Sequence, residues 1–366
     1  MKGTGVFGQV FRCSDAPYPA NYQLLDFWRG WASLWVVIFH GYAMFAEQKN
    51  FISENLPLLE PIAASGWFGV HLFFVISGYC IAACLATARR KNRGAGQFLR
   101  DRLLRIFPVY WCALLAQILL QVLSAPFNQT PWQQAFPESF LEALANFFLL
   151  EPYLGFPSRM LVSWSLVYEW GFYVLMATGL LALQKQARAS LVFLGGTVLA
   201  LAGMLGFTSG FLLPLKFWPE FMIGVGVFVC LQGQGRLVKG WAISLFFLFP
   251  LGLWFLEGGT DRTGMMAGAA GFGLLLCLLR RWDENLIRWQ PVYGLRQVGL
   301  FSYSLYLMHV PFGGAFRNLA MRFVSETSPN FLLVQIGYVV VCVATALIFY
   351  RLIEAPWEKF RKSTFC

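Results

Sequence analysis

The sequence predicts an all-α fold, that of a polytopic helical integral membrane protein with about ten transmembrane helices and both termini in the cytoplasm. Three observations support this prediction: little charge, many long apolar runs, and a one-sided distribution of lysine and arginine. Charged residues make up 13% and hydrophobic residues 58% of the 366 residues, whereas soluble domains carry about 25% charged residues. The mean hydropathy of +0.58 agrees with a chain that lies mostly in lipid.

Apolar runs of membrane-spanning length recur along the whole chain. A helix rises 1.5 Å per residue, so about 20 residues cross a hydrocarbon core of about 30 Å. The sequence contains ten such runs, at 26–46, 66–88, 104–123, 163–183, 190–208, 214–231, 240–256, 264–279, 298–317 and 331–352. A shorter run at 139–150 contains Glu142, and we interpret it as a re-entrant or interfacial helix.

Lysine and arginine are unequally distributed between the two sides of this predicted topology. With the N-terminus inside, the outer segments contain only Lys49, Arg159, Lys216, Arg262, Arg317 and Arg322. Nearly all other basic residues fall in inner segments, which is the positive-inside pattern of membrane proteins. Because this pattern accounts for the net charge of +10, we predict contact with membrane lipids and no nucleic acid partner.

The predicted spans define one domain between two short ends. Residues 1–21 are predicted to form a cytoplasmic N-terminal segment, residues 22–356 the transmembrane domain, and residues 357–366 a basic cytoplasmic tail. No cleavable signal precedes the first span, which we expect to be retained. The eight cysteines lie mostly inside spans without paired spacing, so we predict no disulfide framework and no metal site.

The first span contains two ionisable side chains, Arg29 and His40, within FWRGWASLWVVIFH. Eleven residues at about 100° each make nearly three turns, so both side chains lie on nearly one face, about 16 Å apart along the axis. Ionisable groups inside a membrane are costly, which makes them candidate functional groups. We predict Arg29 at the cytoplasmic mouth and His40 in the outer half. The alternatives are that Arg29 snorkels to the inner headgroups and that His40 hydrogen-bonds between packed helices.

Two further arginines, Arg102 and Arg105, lie at the inner end of the third span in FLRDRLLRIFPVYW. Their i, i+3 spacing places them on one helix face, and guanidinium groups bind phosphates in bidentate fashion. We therefore predict a phosphate site there. The alternative is an ordinary positive-inside anchor, which is the interpretation we favour for the nearby run ARRKNR at 88–93.

Four more ionisable residues are predicted at about the depth of His40. Glu169 in SWSLVYEWGFYV would lie about 9 Å deep, where its carboxylate could hold one nitrogen of His40 and leave the other as a base. The alternative for Glu169 is a structural pair with a donor on another helix. The remaining three, which we predict to contact substrate, are His71, Glu220 and His309.

Several motifs follow one another in a characteristic order. After Arg29 and His40 come GVHLFFVISGY, the pair Arg102-x-x-Arg105 with IFPVYW, WSLVYEW with Glu169, FSYSLYLMHVPF at 301–312 and LIEAPWEKF at 352–360. Together they resemble the membrane acyltransferase-3 family over about residues 22–360. The sequence departs from the family at His71, where an aspartate is usual, and at Met308, where an aromatic residue is common.

The resemblance implies transfer of an acyl group, usually acetyl, from cytoplasmic acyl-CoA to a sugar hydroxyl, in a bacterial inner membrane. The implied acceptors are saccharides or glycolipids, such as lipopolysaccharide O-antigen, exopolysaccharide or peptidoglycan. Arg102 and Arg105 match the family's CoA-binding arginines, and His40 matches its essential histidine. We expect Arg29 to help bind the acyl-CoA phosphates, His40 to act as general base or acyl carrier, and Glu169 to orient it. The outer loops at 47–65 and 124–162 are the expected acceptor contacts.

Two other classes of function fit part of the sequence. A transporter or flippase of an anionic glycan would suit ten spans and a basic inner face. It also predicts two related halves, and the motifs of the first half have no counterparts in the second. A receptor or scaffold would not explain why the three histidines, Glu169 and Glu220 are all predicted at about the same depth in the membrane. Stabilisation by CoA would distinguish an acyltransferase from a transporter.

Overall fold

A computed structural model describes residues 22–43, 57–185, 189–232, 236–258, 260–324 and 331–365, and within these ranges every regular element is a helix. The predicted all-α class is therefore confirmed for this part of the chain. The predicted N-terminal segment, 1–21, and much of the outer loop 47–65 lie outside the described residues.

The longer α-helices follow the predicted spans closely. They are α1 (Leu24–Ala43), α2 (Gly69–Arg90), α3 (Ala95–Asn128), α4 (Phe140–Phe147), α5 (Ser163–Gln184), α6 (Ala189–Met204), α7 (Trp218–Leu231), α8 (Arg236–Glu257), α9 (Asp261–Leu279), α10 (Gln290–Leu300), α11 (Ser302–Ala320), α12 (Phe331–Phe349) and α13 (Ala355–Phe365). Shorter helices lie at Glu60–Ala64, Glu151–Leu154 and Asp283–Leu286, 3-10 turns at Gly66–Phe68, Trp132–Ala135, Gly210–Phe217 and Arg280–Trp282, and a π-helix at Tyr350–Glu354.

Seven helical stretches among the described residues are long and apolar enough to cross a membrane, and all seven coincide with predicted spans. The shorter apolar helix Leu191–Met204 falls on an eighth. α1 and α11 lie on the other two predicted spans. These helices are those of an integral membrane protein; the count of ten spans and the cytoplasmic side of both termini stay predictions.

The chain divides by its contacts into two compact units. Unit 1 comprises Met1–Arg29, Val70–Leu103 and Ser165–Gln297. In unit 1, α2 and α7 pack through two glycines, because a Cβ on Gly78 would overlap the carbonyl group of Phe221 and a Cβ on Gly224 would overlap that of Val75. Small residues allow membrane helices to approach this closely.

The start of α1 is held in unit 1 by a carboxylate. Asp283 accepts hydrogen bonds from the backbone N–H groups of Gln23 (3.1 Å) and Leu24 (2.9 Å), and it also pairs with Arg280 at 3.3 Å. The first N–H groups of a helix have no partner within the helix, and a negative charge is favourable there. This contact anchors the helix that carries Arg29.

Unit 2 comprises Gly30–Gly69, Leu104–Trp164 and Val298–Cys366. α11 packs against α12 at Gly313, where a Cβ would lie only 2.8 Å from Cys342 Sγ. The predicted tail, 357–366, forms most of α13, and Trp357 Nε1 donates to the carbonyl of Leu104 at 2.6 Å. This segment is therefore packed on unit 2 through a hydrogen bond and apolar contact.

The run at 139–150 forms only the eight-residue helix α4. Ser139 Oγ accepts from the backbone N–H of Glu142 (3.1 Å), and Glu142 Oε2 accepts from that of Glu138 (2.8 Å). This reciprocal capping explains where the helix begins. The buried Glu142 also accepts a hydrogen bond from Arg159 Nε at 2.7 Å.

Candidate active site

The predicted site residues belong to both units. Unit 1 contains Arg29, His71, Arg102, Glu169 and Glu220, and unit 2 contains His40, Arg105 and His309. α1 carries Arg29 in its first half and His40 near its end, and α3 carries both Arg102 and Arg105.

Two histidines lie side by side in unit 2. The ring centroids of His40 on α1 and His309 on α11 are 5.0 Å apart, with an angle of 51° between the ring planes. His309 is completely buried, whereas His40 is half-buried. The sequence predicted both residues at one depth, and the structure brings them into contact.

The hydrogen bond of His309 determines which of its nitrogens is available. His309 Nδ1 lies 3.0 Å from the carbonyl oxygen of Leu305. A carbonyl oxygen can only accept, so Nδ1 carries the proton and Nε2 has the free lone pair of the neutral imidazole. Among the described residues Nε2 has no hydrogen-bond partner. A buried polar atom without a partner is costly and requires an explanation.

A second polar cluster in unit 2 contains Glu354 and Ser304, and Ser304 precedes His309 by five residues on α11. Glu354 accepts hydrogen bonds from Ser304 Oγ (2.5 Å) and from the Ser304 backbone N–H (3.2 Å). Arg105 lies near enough for its charge to act on the Glu354 carboxylate. The predicted phosphate ligand Arg105 therefore has a buried carboxylate as neighbour. Sequence reasoning missed Glu354, although it stands in the motif LIEAPWEKF.

A polar groove lies between α3 and α11 in unit 2. A cavity of about 400 Å³ adjoins two others of about 560 Å³ and 150 Å³, and Asn128 lines all three. On α3 the lining side chains follow at i, i+4, i+7 and i+11, a spacing that places them on one face; they are Gln117, Gln121, Ser124 and Asn128. Leu115, Leu119 and Leu123 are exposed on the opposite face.

The groove residues were not identified from the sequence. The signal was present as four polar residues on one face of the otherwise apolar C-terminal half of α3, because polar groups at membrane depth usually face a cavity or a partner. Ser158 and Arg159 also line the groove, and they lie in the loop 124–162 that was expected to contact an acceptor.

In unit 1, Arg29 is enclosed by protein. Its Nη1 lies 3.2 Å from Asp26 Oδ1, its Nη2 lies 3.0 Å from Cys80 Sγ, and the residue is 7% exposed. A side chain that snorkels would extend away from the protein, so this arrangement disfavours the snorkelling interpretation. The guanidinium group of Arg29 thus already has the Asp26 carboxylate as an ion-pair partner. Arg102, on α3, has its guanidinium 5.9 Å from the ring centre of Phe98.

Glu169 is held by hydroxyl groups in unit 1. Its Oε1 accepts from Tyr173 at 2.5 Å and from Ser77 at 3.2 Å. Both donors belong to motifs that were singled out in the sequence, WSLVYEWGFYV and GVHLFFVISGY. The role predicted for Glu169, to orient His40, stays a prediction.

His71 and Glu220 form a buried pair in unit 1. His71 Nδ1 lies 3.2 Å from Glu220 Oε1, and the two residues are 6% and 4% exposed. Phe217 packs its ring edge against His71 with the ring centroids 5.7 Å apart. The sequence predicted both residues as substrate contacts, and the structure shows that they contact each other.

Comparison with known proteins agrees with the motif pattern. The family model Acyl_transf_3, an acyltransferase domain, matches residues 22–351. The peptidoglycan O-acetyltransferase OatA of Listeria monocytogenes serovar 1/2a is 28% identical over 140 residues. That match covers 34% of this chain and 21% of the relative's length. No solved structure matches the chain significantly.

Proposed function

The chain belongs to the membrane acyltransferase-3 family, and from this premise we propose that it is an O-acyltransferase that moves an acyl group, usually acetyl, from cytoplasmic acyl-CoA to a hydroxyl of a cell-surface or exported saccharide. The observation that carries this proposal is the buried histidine pair of unit 2, in which His309 Nε2 has no partner among the described residues. Family membership favours this chemistry over transport.

The reaction needs a base near the thioester. The acceptor oxygen attacks the thioester carbonyl carbon, the hydroxyl proton passes to the base, the carbon–sulfur bond breaks, and the proton finally reaches the CoA sulfur. A positioned imidazole suits both proton steps, because its ordinary pKa of about 6.5 lies close to neutral pH. No net proton is gained or lost.

The two histidines differ in access, which assigns their roles. His40 is half-buried and can meet the substrates, whereas His309 is completely buried. In our proposal His40 is the catalytic base, and His309 is a positioning residue whose Nε2, without a partner among the described residues, would accept a hydrogen bond from His40 once the His40 ring turns toward it. That bond would fix the tautomer of His40 and direct its other nitrogen to the acceptor. His40 as acyl carrier remains the alternative and would use the same nitrogen.

In unit 2, Arg105 is our proposed ligand for the acyl-CoA phosphates; Arg102, three residues earlier on α3, stays a predicted phosphate ligand. Ser304, which binds Glu354 beside Arg105, precedes His309 by five residues on α11, about 8 Å along the helix. This order is the one that a donor with its phosphates at one end and its thioester at the other requires. Arg29 as a further phosphate ligand stays a prediction.

The polar groove is our proposed contact for the saccharide chain. Amide and hydroxyl side chains suit the dense hydroxyls of sugars, because each can both donate and accept. The groove-lining residues of α11 begin at Val310, directly after His309, and lie on the other face of that helix. The groove would therefore hold sugars beyond the one that is acylated.

Mass spectrometry of surface glycans from three strains tests the proposal. One strain lacks this protein, the second produces the wild-type protein, and the third produces the His40→Ala variant at the same abundance in the membrane. We expect O-acyl groups only in the wild-type strain. Purified protein should also gain thermal stability from acetyl-CoA, as binding to the folded state requires. Unchanged glycans together with no stabilisation by acetyl-CoA would contradict acyl transfer and favour transport.

A further inference from the structure

Unit 1 contains a large apolar cavity that the proposed chemistry does not use. It lies between α2, α5, α6 and α7 and has a volume of about 1150 Å³. Ligand pockets usually have volumes of about 300–1,000 Å³. Small residues create this space, because Ala82, Ala86, Gly179 and Gly195 line it where larger side chains would fill it.

One end of the cavity is basic. Arg89 and Arg90 line it there, are exposed, and are the last two residues of α2. Gln232, directly after α7, lies among the lining residues as well, and no aspartate or glutamate does. The cavity thus combines an apolar body with two cationic groups at one end.

This combination matches one class of ligand better than others. Acyl chains fill apolar volume between membrane helices, and basic pockets between such helices bind anionic lipid head groups. A lipid whose head group has no net charge would not balance the two positive charges of Arg89 and Arg90. Acyl-CoA fits poorly, because its pantetheine amides and ribose would find few hydrogen-bond partners along apolar walls.

We propose that this cavity is a binding site for an anionic phospholipid, with acyl chain among α2, α5, α6 and α7 and the phosphate group on Arg89 and Arg90. The charged run 88–93, interpreted from the sequence as a topological anchor, would then have a specific ligand. The site lies within unit 1 and does not depend on the proposed reaction.

Native mass spectrometry of the purified protein tests the head-group contact. The probes are phosphatidylglycerol and phosphatidylcholine with identical acyl chains, added to detergent micelles. We expect phosphatidylglycerol to bind more tightly, and the double variant Arg89→Ala/Arg90→Ala to weaken its binding about 30-fold. The control is Arg236→Ala, because Arg236 is exposed in unit 1 and does not line the cavity; it should bind as the wild type does.

A second variant tests the acyl-chain contact. A Cβ on Gly195 meets no atom within 4 Å, so Gly195→Leu should fill the cavity without disturbing the fold. Gly271→Leu is the matched control, since Gly271 is also exposed within a helix and also has open space around it. Gly195→Leu should lose bound lipid and Gly271→Leu should retain it.

Three outcomes would overturn the proposal. One is equal binding of the two phospholipids, and another is binding unaffected by both the arginine and the Gly195 variants. The third is displacement of phosphatidylglycerol by acetyl-CoA, which would assign the cavity to the donor. None of these outcomes depends on acyl transfer, so a failure here does not contradict the proposed reaction; the third would only move the proposed donor site away from Arg105.

Discussion

Two buried histidines, one in each unit, have opposite surroundings. His71 in unit 1 lies 3.2 Å from the carboxylate of Glu220. His309 in unit 2 binds a backbone carbonyl through Nδ1 and has His40 as its ring neighbour. Both residues are almost inaccessible. Burial alone therefore does not distinguish these two histidines; the partner of Nδ1 does.

The partner matters because it determines what the imidazole can still do. A carboxylate stabilises the protonated ring and holds it in place. A backbone carbonyl fixes only the tautomer, and in His309 the remaining nitrogen, Nε2, has no partner among the described residues and lies on a ring that contacts His40. On this argument the pair His40 and His309 is suited to proton transfer, and the pair His71 and Glu220 is suited to holding α2 and α7 together.

The largest expected effect is on the rate of acyl transfer and concerns the pair His40 and His309 in unit 2. His40→Ala and His309→Ala should each lower the rate of acyl transfer at least about 100-fold, because positioned acid–base groups contribute 10²–10⁴-fold. The measurement is the initial rate with acetyl-CoA and an identified acceptor. For His309→Ala we expect a lower kcat and a displaced pH–rate profile, with the KM for acetyl-CoA unchanged. Full turnover by His309→Ala would show that its unpartnered nitrogen has no part in the reaction.

The next largest effect is on the stability of the protein and concerns the pair His71 and Glu220 in unit 1. His71→Asp introduces the residue usual in the family, but beside Glu220 it would bring two carboxylates together, which is unfavourable. Breaking a buried pair costs about 3–5 kcal/mol, so the apparent Tm in detergent should fall clearly. The double variant His71→Asp/Glu220→His restores a pair of one carboxylate and one imidazole and should recover much of the loss. An unchanged Tm in the single variant would mean that the pair contributes nothing.

A smaller effect is expected at Glu169. Glu169→Gln keeps an oxygen that accepts from Ser77 and Tyr173 but removes the charge, so stability should hardly change. If the carboxylate stabilises a protonated His40, kcat should fall about tenfold, equivalent to one pKa unit. Tyr173→Phe is the control, since it removes one hydrogen bond and keeps the charge. Equal turnover of Glu169→Gln and the wild type would remove Glu169 from the mechanism.

The smallest effect concerns Glu151, a buried carboxylate that pairs with no cation among the described residues. Glu151 is 1% exposed and accepts from Ser163 Oγ at 2.7 Å. Burial raises its pKa above the ordinary value of 4.5, and the hydrogen bond from Ser163 opposes this rise only in part. Its stabilising contribution is therefore present below pH 4.5 and is lost as the pH rises through the folded-state pKa.

Replacing this carboxyl group by an amide, which does not titrate in this range, should remove that dependence. Glu151→Gln should have a higher Tm than the wild type at neutral pH, and the difference should vanish as the pH falls below about 4.5. Thermal unfolding across this pH range provides the measurement. A lower Tm at neutral pH would show that the protein stabilises the ionised form of Glu151 after all.

The positions of the helices could be predicted from the sequence because helix formation in lipid depends on local composition. Backbone groups have no water to bond with in the bilayer core, so an apolar run of about 20 residues must form a helix there. This is why each predicted span coincides with a helix of the structure. The shorter run at 139–150 was interpreted as a re-entrant or interfacial helix, and the cap at Ser139 determines where its helix, α4, begins.

The partners of the ionisable residues depended on packing between distant segments. The periodicity of α1 predicted that Arg29 and His40 share a face, since both belong to one helix. It could not predict that His40 contacts His309, 269 residues later, or that His71 contacts Glu220, because helix rotation and crossing decide such contacts. Glu354 likewise had no apparent role until Ser304 and Arg105 were placed beside it.

The sequence by itself determined the helical membrane class, the family motifs and the identity of the candidate groups, since these depend on local composition and order. Only the tertiary structure decided which nitrogen of His309 lacks a partner among the described residues, which carboxylate contacts His71, and where the cavities lie. The physical reason is that a partner within hydrogen-bonding distance changes what an ionisable group can do. Those distances arise only when helices far apart in the chain pack together.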